Sequence, residues 1–326
     1  MGWPMVLPLI ASAAMWACGA SLGRRLPPAT AVRLLTATML VTSLATGFVL
    51  AVAAFTVLAQ LPVVATIGRW SVEVIRHGDP INVSAGTAAG VAVVMLMTAA
   101  IQRALTSARD LIRSALLCRR LSPAAARLVV VADDTPDAYA IPGFGGRIVV
   151  STAMLQALSA GERAVLLAHE AAHLAHRHHA YLLIAELAAA ANPLLRPSAL
   201  VVRQAVERWA DEVAAAEVGD RALAARALAR AGLARGAARS HGPTVALAGA
   251  DASVADRARA LLGAPPSPRP VLVAALTTVM LVVISASAVT ARGAEARFET
   301  AQTAYHRSPH LTPDQTPALA VSAGLP

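Results

Sequence analysis

Five of the chain's nine histidines fall within eleven residues, in the run LLAHEAAHLAHRHH at 166–179. Two of them, His169 and His173, stand four apart, with Glu170 directly after the first. On a helix, residues four apart share a face, so both imidazoles can be turned toward one divalent cation. Glu170 lies about 100° further round the axis. There a carboxylate can reach a water at that cation and act as general base. This H-E-x-x-H pattern points to zinc-dependent peptide hydrolysis, with His169 and His173 as metal ligands, Glu170 as the catalytic residue and one Zn²⁺ per chain.

A catalytic zinc takes three protein ligands and keeps one position open. His179 stands ten residues after His169, where the motif H-E-x-x-H-x-x-G-x-x-H has its last histidine. In that motif the glycine ends the helix. Here His176 holds the glycine position, and nothing from Leu174 to Ala191 reads as a helix breaker. A continuing helix would carry His179 about 240° away from the metal face. Glu207, in VERWADEVA, is the better candidate. A turn at Asn192-Pro193 can fold the following helix back on the first, and Asp211 then shares a face with Glu207. From there Asp211 can accept the free N–H of a ligand histidine. Glu207 can also pair with Arg203 or Arg208 on a solvated face; its register with Asp211 favours the metal. His176 is open to either a hydrogen-bonding or a packing role. His178 and His179 read as a polar collar above YLLIAELAAA. Tyr139, Arg203 and His241 are candidates for an oxyanion donor.

The elements that must hold these residues can be read outward from the motif. Ser159 and Glu162 form a capping box that starts its helix, and helical pattern runs from Ser159 to Ala216, broken at Asn192-Pro193. Upstream, two short strands are predicted, Leu128–Val131 and Arg147–Ser151, with a Pro/Gly-rich turn region between them. Past Gly219 an Ala/Arg-rich helix leads to the linker GAPPSPRP.

The wider composition places this unit on a membrane. Of 326 residues, 56% are hydrophobic and only 14% charged, with a mean hydropathy of +0.58, too apolar for an ordinary soluble chain. Four apolar runs, at about 5–22, 34–60, 81–101 and 271–290, are each long enough to cross a bilayer as a helix. Gly86 and Gly90 in the third form a small-xxx-small pair, a pattern that helix packing or chance can produce. Arginines cluster after the first and third runs and before the fourth. The positive-inside rule therefore puts both termini outside and residues 102–269 in the cytoplasm. The tail 291–326, rich in Pro, Thr and Ala, reads as disordered and extracytoplasmic.

The net charge of +9 is carried by arginines beside the apolar runs, without a basic surface interleaved with aromatics, so direct nucleic-acid binding is not expected. All 28 basic residues are arginine, and alanine is abundant, as in bacterial genomes rich in G and C. Cys18 and Cys118 form no disulfide framework, and the stretch before Cys18 reads as an uncleaved span.

YAIPGFGGRIVVSTAML, LLAHEAAHLAHRHH, NPLL and ERWADE, in that order, resemble the membrane metallopeptidases of the BlaR/MecR antirepressor type. The resemblance covers about residues 128–220. It implies a mainly α, polytopic membrane protein with about four transmembrane helices and an inserted α+β gluzincin-type protease domain. The domain order is three spans in 1–101, the zinc metallopeptidase domain in 102–269, a fourth span at 271–290 and the tail. The implied function is an integral-membrane zinc endopeptidase of the bacterial cell membrane that cleaves a cytoplasmic protein, a DNA-binding transcriptional repressor. A homodimer is compatible with this reading. Members that sense β-lactams carry a penicillin-binding domain after the last span; only a short tail stands here, so the expected signal enters another way.

HtpX-like quality-control peptidases are the nearest rival. A family of either kind would pair an extended substrate on the edge of the strand near Arg147–Ser151. A rival of another class is a non-proteolytic membrane signalling protein with a structural zinc site, which would show four protein ligands and no use for Glu170.

Overall fold

A long apolar segment in hydrocarbon satisfies its own backbone N–H and C=O groups only as a helix or a closed barrel. The computed structural model describes residues 3–78, 82–120, 127–143, 145–238 and 244–307. It begins with α1 (Leu7–Arg25) and α2 (Pro28–Leu58), followed by the short α3 (Pro62–Gly68) and α4 (Val72–Gly78) and the long α5 (Val83–Arg120). Three strands follow, β1 (Leu128–Val131), β2 (Ala138–Ile141) and β3 (Arg147–Ser151). Then come α6 (Thr152–Ala157), α7 (Ala160–Ala175), α8 (His178–Ala191), α9 (Arg196–Val218), α10 (Arg221–Ala238), α11 (Thr244–Leu262) and α12 (Pro270–Arg307). The protein is mainly helical, and α1, α2, α5 and α12 are long and apolar enough to cross a membrane. Ile81, the first residue expected of the third span, lies outside the described residues. Gly86 is a packing residue: a Cβ there would come within 2.2 Å of Val57 and 3.0 Å of the Ala53 carbonyl on α2.

The sheet has three strands in the order β1-β3-β2, with β1 parallel and β2 antiparallel to β3. Two corrections follow. The expected turn region between the two strands contains β2, whose four residues are framed by Thr135-Pro136-Asp137 and Pro142-Gly143. The strand at Arg147–Ser151 is not an edge: it is central and buried along its whole length. The edge toward the histidine helix is β2.

α8 and α9 form a hairpin bent at Asn192-Pro193, as expected. What the sequence did not disclose is where it goes. One core holds Met15, Leu35 and Met39 from α1 and α2, Ala185 and Ala189 from α8, and Val202, Val206 and Trp209 from α9. Residues 102–269 are therefore not a separate body, because this hairpin shares its core with the spans. At the bend, buried Asn192 donates from Nδ2 to Ser12 Oγ (2.8 Å) and lies 3.4 Å from Thr46 Oγ1. Ser12 stands about 20 Å along α1 from Arg25. Glu186 on α8 pairs with Arg103 of α5 and Arg203 of α9, and Arg33 of α2 lies 4.8 Å over the Trp209 ring. Asn192→Leu is expected to lower stability by about 1 kcal/mol. The figure is at the low end because Ser12 and Thr46 keep each other and the Pro8 carbonyl. Thermal unfolding of the detergent-solubilised variant measures it.

A further correction concerns the expected disordered tail. α12 continues as helix from Thr290 through Arg307, and 308–326 lie outside the described residues. The continuation is held by Phe298, whose ring packs 5.2 Å from both Phe55 and Trp70, and by Ala301, whose carbonyl accepts from the Ser71 N–H. Cys18 and Cys118 are both free.

Candidate metal centre

α7 begins with the predicted capping box. Ser159 accepts from the backbone of Glu162, and the Glu162 carboxylate accepts from the Ser159 N–H at 2.9 Å. From that fixed start, His169 and His173 emerge on one face with their Nε2 atoms 3.2 Å apart. α9 crosses opposite and brings Glu207 to 3.7 Å from each of those nitrogens. With one Glu207 oxygen facing each nitrogen, this triangle of side chains suits one tetrahedral Zn²⁺ with ligands at about 2.0–2.2 Å. His169, His173 and Glu207 form such a group among the described residues. The predicted partner is in register too, since Asp211 Oδ1 lies 3.1 Å from His169 Nδ1.

Other expectations require revision. α7 does not continue through the histidine run. It ends at Ala175, and Arg177 adopts a left-handed conformation (φ 52°, ψ 44°) before α8 starts at His178. His179 lies on the cleft wall and outside the metal-binding group, so the reason for its exclusion is this break, not a rotation along one helix. His178 is no collar residue. It is buried, with Nδ1 3.0 Å from His173 Nδ1 and its ring against Trp209. His176 packs, stacked on Trp209. Of the three candidate oxyanion donors, Tyr139 lines the cleft, Arg203 is engaged with Glu186, and His241 lies outside the described residues.

Sequence reasoning missed Arg257. It comes from α11, grips both oxygens of Asp211 at 2.7 Å and reaches Glu207 at 3.0 Å. A lone arginine 46 residues beyond Asp211 carries no local signal. Buried Asp211 and half-buried Glu207, one turn apart, would repel, and this guanidinium offsets the pair.

The electrostatics follow from these contacts. Burial opposes charge on His169, but the hydrogen bond to Asp211 and the nearby Glu207 outweigh it and raise its pKa to about 9. Burial and the charge on His169 push His173 down to about 4. Burial would raise Glu207, yet His169 and Arg257 hold it at about 2. Glu170 is buried and raised above the usual carboxylate range by that burial, against the pull of His169 and Arg235; its carboxylate accepts from the Ala140 N–H.

Near neutral pH the ligand set without metal therefore carries one proton beyond those of its neutral imidazoles, on His169, and a zinc ion would have to displace it. Zinc affinity is expected to rise about tenfold per pH unit from 7 toward 9 and to level off above. Chelator competition across that range measures it, and a flat profile would contradict the assignment.

The triangle opens on a cleft of about 470 Å³ between α7, α9, α10 and the β2 edge. Asp137, Ala138, Tyr139 and Ala140 form one wall, while Val165, Ala227 and Leu228 give the floor an apolar character. Three groups able to ligate a metal, a neighbouring buried carboxylate and an accessible cleft suit a hydrolytic metal site better than a closed structural one. The family model described as peptidase family M48 matches residues 109–192, which include H-E-x-x-H and stop short of Glu207. No curated protein and no solved structure matches the chain. The family match supports a metallopeptidase, a hydrolase of peptide bonds, with zinc as its metal.

Proposed function

We propose that this protein is an integral-membrane zinc endopeptidase whose cleft faces the cytoplasm and cleaves a cytoplasmic protein, a transcriptional repressor. The observation that carries the peptidase reading is the His169–His173–Glu207 triangle with Glu170 beside it, open to a cleft walled by a strand edge. The resemblance to BlaR/MecR-type proteins supports the substrate, and the arginines flanking the apolar runs support the orientation.

His169, His173 and Glu207 would hold the ion, with Asp211 fixing the tautomer of His169. When bound, zinc would polarise the scissile carbonyl and acidify the attacking water. Glu170 takes that water's proton and returns it to the departing amine, a role suited to a carboxyl raised by burial. The exposed sheet edge beside the cleft is β2 and not Arg147–Ser151; an extended substrate would pair there by displacing Glu170 from the Ala140 N–H and Arg235 from the Ala138 carbonyl. Tyr139, which lines that wall, is the candidate oxyanion donor among the described residues.

A second reading, HtpX-like membrane-protein quality control, is supported by the core that α8 and α9 share with the spans, which sets the cleft beside the membrane. Comparing proteins that accumulate uncut with wild type and with the inactive Glu170→Gln chain separates the two. One repressor accumulating supports the first reading, and a broad set of membrane proteins supports the second. Identical profiles would overturn both.

A further inference from the structure

His169 and His173 are held by different means. His169 presents Nδ1 to the carboxylate of Asp211, whereas His173 presents Nδ1 to a second imidazole, that of His178, at 3.0 Å. We infer that His178 is a positioning residue: its bare Nδ1 accepts the His173 Nδ1–H and so leaves the His173 Nε2 lone pair free for the metal. The inference rests on the zinc site proposed above.

Three observations support it. First, His173 Nε2 is the atom that faces His169 Nε2 and Glu207, so its ring proton belongs on Nδ1 when a metal is bound. Two nitrogens 3.0 Å apart can share only one proton between them, so His178 must then carry its own on Nε2. Second, that Nε2 is buried and has no hydrogen-bond partner among the described residues, so the hydrogen bond of the ring is the one between its Nδ1 and His173. The Nε2–H is the group that the accepting tautomer of His178 leaves over. Third, the backbone is bent to bring the ring there. On an unbroken helix a residue five past His173 would sit about 140° away from it. Arg177, left-handed at φ 52°, swings the chain so that His178 returns behind His173. Left-handed backbone is disfavoured for a residue that carries a Cβ, and such strain is characteristic of functional sites. Trp209 and His176 then clamp the His178 ring, with centroids 4.7 and 5.8 Å away.

The partner differs in kind from Asp211. A carboxylate both orients a ligand histidine and makes it more basic, whereas a neutral imidazole mainly orients it.

The test is zinc affinity of the full-length, metal-stripped protein in detergent, read by chelator competition and, with Co²⁺, by visible absorption. His178→Phe keeps a ring against Trp209 and loses the acceptor; it is expected to bind zinc about 10–100-fold more weakly. His178→Gln, which places its amide oxygen near the Nε2 position, is expected to share the loss. His178→Asn, whose oxygen falls where Nδ1 was, is expected to recover most of the affinity. Wild-type affinity in the Phe or Gln variant, or an equal loss in all three, would overturn the role of His178 while leaving the zinc site standing. Wild-type protein that takes up no stoichiometric zinc would overturn the site itself, and this inference with it.

Discussion

Glu170→Gln is expected to keep its zinc and lose peptide cleavage by about 10²–10⁴-fold. Glu170 is not one of the three ligating groups, and glutamine has nearly its shape, so the triangle of His169, His173 and Glu207 is left undisturbed. What disappears is the ability to take a proton. The carboxyl is buried, and that burial raises its pKa and makes it a stronger base than an exposed carboxylate. The Ala140 N–H on β2 holds it, which ties the base to the wall where a substrate strand would lie. The amide oxygen of glutamine can still accept that bond, so the loss should fall on turnover. Metal analysis together with peptide turnover decides the matter. A variant that loses its metal would make Glu170 a ligand, and one that still cleaves would remove it from the mechanism.

Glu207→Ala is expected to abolish both stoichiometric zinc and activity. Two histidines four apart on α7 make an incomplete site, and the remaining wall of the triangle comes from α9. The substitution also deprives Arg257 of one of its two carboxylates, although Asp211 still holds the guanidinium through two 2.7 Å bonds. Zinc affinity should therefore fall by well over the ~100-fold that loss of an outer partner costs, while the fold persists. Metal per chain after gel filtration reads the outcome. Full occupancy in the alanine variant would mean that the third ligand lies elsewhere.

Much of the site could be read from spacing because it is set by helical periodicity. His169 and His173 on one turn of α7, Glu207 and Asp211 on one turn of α9, and the bend at Asn192-Pro193 are all local patterns. The four apolar runs were equally plain. What escaped was decided by long-range packing. β2 is four residues between turn formers, too short to show alternation, and exists because β3 offers it a partner. The break at Arg177 has no glycine, asparagine or proline to announce it; the burial of His178 beside His173 and Trp209 holds it. Arg257 reaches Asp211 from a helix 46 residues away. The helix beyond Thr290 was hidden by a polar composition that Phe298 and Ala301 offset by docking on the α3–α4 segment. YLLIAELAAA was a partial clue, since a helix with Glu186 as its one charge is ill suited to a solvated face.

The route from His173 to Glu207 runs down α8 to Asn192 and back up α9, so a metal held by both would close the mouth of a pair of tongs whose pivot is gripped by Ser12 and Thr46. The hydrolase and its anchor are consequently one machine. Cutting the chain after the third span would not liberate a free-standing protease, because the arm bearing Glu207 would lose the surface it is built against.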